Sequence, residues 1–173
     1  MKIHHVTPKS MAGIQHQEIY QFLEIVDDDF YPPLSKRPNG IVGFINEFLL
    51  HHGGEIYICK NPNVIGAIGY WYRGKNLDDC YCHLLAIREE YRKSKIGYTL
   101  LNEAFKTVDT TNLRIVSVRT WPENEATIGF VNGLGFELVK KYYEVDMDRI
   151  SLLYQMDVRD FINRLKSLFP ENM

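Results

Sequence analysis

Leu84-Leu85-Ala86-Ile87-Arg88-Glu89-Glu90-Tyr91-Arg92-Lys93-Ser94-Lys95-Ile96-Gly97 is the stretch on which the reading of the fold turns. Its first residues close a β-type segment, Asp79–Ile87. From Ile96 the apolar period changes: Ile96, Leu100, Ala104 and Val108, with Leu101 and Phe105 beside them, predict an amphipathic helix over Ile96–Val108. Between strand and helix lies a basic loop. A helix start leaves its first amides without intrahelical partners and carries partial positive charge, so it attracts anions. Arg92, Lys93 and Lys95 add full charges there and Ser94 adds a hydroxyl, which makes the loop a candidate diphosphate cradle. It is neither of the common nucleotide loops, because no Gly-x-x-x-x-Gly-Lys-Ser/Thr and no Gly-x-Gly-x-x-Gly precedes a helix. A solvated basic turn explains the same residues, and the stretch alone does not choose.

Working outward, Lys2–Thr7 alternates weakly as a first strand. Ile19, Phe22, Leu23, Val26 and Phe30 recur at helical spacing between Ile14 and Phe30, and Pro32-Pro33 stops that helix. Ile41, Ile45, Phe48 and Leu49 share a face of a second helix, Ile41–Leu50, which His51-His52-Gly53-Gly54 ends. Glu55–Lys60 and Val64–Arg73 read as strands around the turn Asn61-Pro62-Asn63. After the Ile96 helix come a strand at Leu113–Thr120, a short helix at Glu125–Leu134, strands at Phe136–Asp146 and Ser151–Val158, and a helix at Asp160–Phe169. This order predicts an α+β fold: a mixed, mostly antiparallel central sheet with helices on both faces. Without internal repeats or a linker, residues 1–173 read as one domain.

Composition narrows the classes. Hydrophobic residues make 45% of the 173 and charged residues 24%, the balance of a globular chain with a substantial core. A net charge of −2 gives no global pull toward nucleic acid or an anionic membrane. No apolar run approaches a bilayer span, and Met1-Lys2-Ile3-His4-His5 turns polar too soon for a secretory signal. Cys59, Cys80 and Cys82 are too few for a disulfide framework, so the cytoplasm is the expected compartment. His4-His5 and His51-His52 are adjacent pairs whose side chains diverge, with no third ligand at helical spacing, and no metal is expected. Tyr70, Trp71 and Tyr72 are interleaved with one basic residue, Arg73, a poor nucleic-acid platform.

The Leu84–Gly97 stretch resembles the cofactor motif of the GNAT superfamily of acyl-CoA-dependent N-acetyltransferases. There a strand ends in an aliphatic-Ala-aliphatic run, and Gln/Arg-x-x-Gly-x-Gly/Ala wraps a pyrophosphate. Downstream, the run from Asn124 to Phe136 is similar to the family's second motif, an Asn opening a short helix that ends in Gly-Phe. The two motifs span about Asp79–Phe136, and the element order extends the likeness over most of the rest. The resemblance implies acetyl-CoA as acyl donor, with the backbone of Leu85, Ala86 and Ile87 pairing with pantetheine like an added strand. It implies amides of Arg92, Lys93, Ser94, Lys95, Ile96, Gly97 and Tyr98 around the pyrophosphate, and Asn124 beside the pantetheine arm. An Asn before a short helix is equally a favoured N-cap, and the two roles can coexist.

Two departures from the family pattern stand out. Lys95 replaces the first loop glycine, where a left-handed backbone costs other residues about 1–2 kcal/mol. Either the loop turns differently, or Lys95 tolerates the strain while its ammonium meets a phosphate. Val131 stands where many members carry a Tyr that protonates the leaving thiolate. A thiol of pKa near ~8.5 leaves without a dedicated acid, and Tyr142, Tyr143 or Tyr81 are substitutes between which the sequence does not choose.

An attacking amine must be neutral, so a base is useful. His83 occupies the strand position where members often carry a Glu, and an imidazole of unperturbed pKa about 6.5 accepts a proton at neutral pH. A packed strand histidine is the alternative. Tyr81, two residues before it, shares its face. In the family the first two helices and their connection take the acceptor, which directs attention to Tyr31 and its prolines. Asp27-Asp28-Asp29 opposes the dipole of the preceding helix; it either attracts a cationic amine or is a solvated helix end. The expected activity is acetyl transfer to a primary amine of a small molecule or peptide, by direct attack in a ternary complex, with catalytic His83 and Tyr142. A non-catalytic acyl-CoA-binding or regulatory module is the alternative, and a homodimer stays open.

Overall fold

The computed structural model describes residues 1–7, 14–74 and 76–170. Along the chain come β1 (Lys2–Val6), α1 (Ile14–Ile25), α2 (Gly40–Asn46), β2 (Glu55–Lys60), β3 (Val64–Arg73), β4 (Asp79–Ile87) and α3 (Ile96–Phe105). Then follow β5 (Ile115–Thr120), α4 (Glu125–Leu134), β6 (Glu137–Glu144), β7 (Arg149–Asp157) and α5 (Val158–Leu168). The seven strands form one sheet in the order β1-β2-β3-β4-β5-β7-β6. The β1–β2, β2–β3, β5–β7 and β6–β7 pairs are antiparallel and β4–β5 is parallel. This is the mixed, mostly antiparallel α+β architecture that the element order predicts.

Two compact units can be distinguished: Met1–Trp71 with His83–Val108, and Tyr72–Cys82 with Asp109–Met173. In the first, Phe22 and Leu23 of α1 and Val26 just after it, with Ile41, Ile45, Phe48 and Leu49, pack on Ile56, Ile58, Ala67, Leu84 and Ala86 of the strands. Burial of each large apolar side chain contributes about 1.5–3 kcal/mol. Two glycines of β3 allow helical elements to approach that strand closely. A Cβ at Gly66 would stand 3.2 Å from Ile96 and Leu100 of α3, and one at Gly69 would stand 2.7 Å from the Phe48 ring.

Several predicted boundaries are corrected. The first helix ends at Ile25 instead of reaching Phe30, and Asp27–Asp29 forms one 3₁₀ turn. Three carboxylates at a helix C-terminus oppose its dipole, and Asp27 instead accepts the Ser35 amide at 3.0 Å and the Ser35 hydroxyl. Phe30 still packs on the core, which is why the apolar period outlasts the helix. The second helix passes into a π turn at Glu47–His51, which buries the consecutive residues Phe48 and Leu49. The third helix stops at Phe105, short of Val108, although Val108 is buried. The Asp157 carboxylate accepts the Arg159 amide at 2.8 Å, so the last helix starts at Val158 and not at Asp160.

In the second unit, α4 and α5 bury Val131, Leu134, Val158, Phe161 and Leu165. Phe136 and Phe161 meet edge-on at 5.7 Å. Gly135, at φ 99°, closes α4 in the left-handed conformation that favours glycine. One face of β5, β6 and β7 carries a polar set instead: Ser117, Arg119, Glu144, Arg149 and Ser151, which strand alternation and register bring together.

Candidate active site

In the first unit β4 runs through Leu85, Ala86 and Ile87 into the basic loop. Arg92 folds back onto the strand end: its Nε donates to the Ile87 carbonyl at 3.0 Å, and its Nη2 pairs with the Asp29 carboxylate. Ser94 donates its hydroxyl to the Tyr91 carbonyl, and Arg88 pairs with Glu90 at 2.7 Å. Lys93 and Lys95 both adopt a left-handed backbone with φ of 63°. Of the two options for Lys95, the structure takes the strained one: the loop turns there as a glycine would, at about 1–2 kcal/mol. Lys95 is the N-cap of α3 and makes no side-chain cap; its carbonyl accepts the Thr99 amide at 3.0 Å and hydroxyl at 3.1 Å. The amides of Ile96 and Gly97 precede that first intrahelical bond. Ile96 and Gly97 are buried and Tyr98 half-buried, whereas Lys93, Ser94 and Lys95 are exposed. The helix is thereby anchored while its charged approach faces solvent.

His83 is half-buried in an aromatic group of the same unit. Trp71 lies 4.4 Å from its ring, Phe44 5.4 Å and Phe48 6.0 Å, and His52 stacks on Trp71 at 4.5 Å. Tyr31 is exposed. Parallel pairing of β4 with β5 runs from Asp79–Ile115 to Cys82–Val118, and the register ends there, one residue before His83.

The family model for the acetyltransferase (GNAT) family matches residues 19–144. The chain belongs to the GNAT family. N-alpha-acetyltransferase 30 of Schizosaccharomyces pombe is 24% identical over 139 residues, covering 78% of this chain and 87% of the relative. The crystal structure of the NatC complex bound to Gag peptide and CoA matches with a TM-score of 0.65 and 18% identity, over 91% of this chain and 99% of that one. An acetyltransferase from Thermus thermophilus gives 0.68 at 14% identity, over 91% and 98%. At these identities the structural likeness concerns the fold.

The second unit of this GNAT chain holds the remaining candidates. Tyr81 is 3% exposed beneath the Arg73 guanidinium, 4.0 Å from its ring. Burial raises its phenol pKa, and Arg119 and Arg73 temper the rise. Arg73 is itself held by Asp79 at 2.5 Å and by the Ser117 hydroxyl at 3.0 Å. Tyr142 is half-buried and lies close enough to Arg119 to favour its cation. Glu144 receives Arg119 at 2.5 Å, the Ser151 hydroxyl at 2.6 Å and Arg149 at 3.4 Å. Burial works against the Arg119 cation, but Tyr81, Tyr142 and Glu144 outweigh it and its pKa is raised; for Arg149 burial prevails and its pKa is lowered. Tyr81 and Tyr142 thus share Arg119 as a neighbour. Asn124 accepts the Thr127 amide at 3.0 Å, the N-cap role that its position also allows. Val131, at the family's Tyr position, is buried.

Sequence reading missed the Asp29–Arg92 pair, the aromatic group around His83, the left-handed Lys93, and the Arg119–Glu144–Arg149 set. Lys93 carried no signal, because the family motif puts its glycines at positions 95 and 97 and leaves position 93 open. The first two join residues far apart in the chain, and the last depends on the pairing of β5, β6 and β7, so none had a local signature. Among the described residues, no group of three or more His, Cys, Asp or Glu is placed to hold a metal ion, and no helix is long and apolar enough to cross a membrane.

Proposed function

We propose that the chain transfers an acetyl group from acetyl-CoA to a primary amine by direct attack in a ternary complex, and that the amine is a peptide α-amine. The observation that carries this is the loop before α3: two lysines hold a left-handed backbone that favours glycine, at the uncapped start of a helix. Strain of this kind persists where surrounding structure imposes it, typically at ligand clamps. The peptide acceptor rests on the relatives, one named an N-alpha-acetyltransferase and one captured with peptide and CoA.

In this reading acetyl-CoA supplies the activated thioester. The backbone edge of Leu85–Ile87 orients the pantetheine arm as an added strand, favoured by a register with β5 that ends at Cys82. Amides of Ile96 and Gly97, with Arg92, Lys93 and Lys95, neutralise the phosphates. His83 takes the proton from the amine, and Phe44 and Trp71 pack beside its ring.

Acetyl-CoA is expected to raise the melting temperature clearly more than pantetheine, because phosphate binding at the loop adds to stabilisation by mass action. Equal shifts, or none, would sink CoA binding. His83→Ala is expected to lower acetyl transfer to a peptide panel about 10²-fold with CoA affinity unchanged. Wild-type turnover in a folded His83→Ala protein ends the base assignment. The buried Val131 favours a second reading, a non-catalytic acyl-CoA-binding module. A protein that binds CoA but never releases free thiol with any peptide would support it.

A further inference from the structure

Arg92 opens the proposed phosphate loop, yet its guanidinium already has an anion. Nη2 pairs with Asp29 on the 3₁₀ turn after α1, while Nε keeps the Ile87 carbonyl at 3.0 Å. Asp29 belongs to a segment tied together by Asp27 with Ser35 and by Arg37 Nε donating to the Pro32 carbonyl at 3.1 Å. That segment carries the exposed Tyr31.

We propose that Asp29 is an internal competitor for the cofactor's phosphates: binding exchanges the Asp29–Arg92 pair for an Arg92–phosphate pair and frees the Tyr31 segment to receive the acceptor. This rests on the acyl-CoA reading above. Relative strengths decide the exchange. Both side chains are exposed, 39% for Arg92 and 38% for Asp29, and an exposed ion pair biases an equilibrium by at most about fivefold. Arginine with phosphate makes charge-assisted, bidentate bonds and prevails. The Ile87 bond keeps the guanidinium at the strand end throughout, so it swings between anions without leaving the loop.

The test is calorimetric titration of CoA into the wild type, Asp29→Asn, Arg92→Ala and the double variant, with hydrogen exchange followed over residues 27–37. Asp29→Asn keeps the shape and removes the charge at an exposed position, so folding should survive. It is expected to tighten CoA binding three- to fivefold, and the gain should vanish when Arg92 is Ala. In the wild type CoA should speed exchange across the segment; in Asp29→Asn exchange should be fast from the start. CoA binding to the wild type with no gain in Asp29→Asn, or the same gain without Arg92, overturns the competitor role alone. No CoA binding by the wild type overturns the acyl-CoA reading and this proposal together.

Discussion

The helices α3 and α4 are both ten residues long, and their N-termini are finished in opposite ways. At α4 the Asn124 side chain accepts the Thr127 amide, and α5 is closed likewise by Asp157. At α3 the capping position is Lys95, a left-handed residue that donates charge and accepts no amide through its side chain. A self-capped start has satisfied one of its own amides and needs no ligand there. An uncapped start approached by Lys93 and Lys95 leaves its first amides open, so on the acyl-CoA reading the finish of a helix separates scaffold from seat.

Charge reversal tests the contrast most severely. Lys93→Glu/Lys95→Glu is expected to weaken CoA binding about 10²-fold in calorimetry, since like charges set against the phosphates cost several kcal/mol. The matched change at α4, Glu123→Lys/Glu125→Lys, should leave CoA affinity within about twofold; a comparable loss at both helices removes the distinction. Asn124→Ala should cost about 1 kcal/mol in urea unfolding, and Asp157→Ala about the same, both with CoA affinity nearly unchanged. If Asn124→Ala instead loses affinity while keeping its stability, the asparagine is a cofactor contact as well as a cap. The smallest effect belongs to Lys95→Gly. Relief of the left-handed strain should raise stability by up to about 1 kcal/mol, while CoA binding becomes less sensitive to salt. A Lys95→Gly protein that is less stable than wild type would mean the turn is not strained.

What sequence made legible follows the range of the forces involved. The limits of β2, β3, β4 and α4 were readable to the residue because turn residues and Asn124 act on their immediate neighbours. The left-handed turn at Lys95 was readable as one of two options, since steric cost belongs to a single residue. The early end of α1 was not, because it depends on Asp27 reaching Ser35 eight positions on. Nor was the π turn after α2, where burial of both Phe48 and Leu49 overrides the 3.6-residue period that also fits those residues. Arg92 was assigned to the loop by position, but its partner Asp29 lies 63 residues away and only the fold brings them together. His83 was chosen by its place on a strand; the rings that enclose it come from α2, the π turn and β3.

Gly66 gives the loop a mechanical datum. With no side chain on β3 at that point, Ile96 and Leu100 rest almost directly on the strand's backbone, so the standoff of α3 from the sheet has no slack. A methyl group there would act as a shim, making those two side chains yield by a few tenths of an ångström. Gly66→Ala therefore offers a graded way to raise the helix without touching any charged residue. On the acyl-CoA reading it turns the height of the proposed anion seat into an adjustable length.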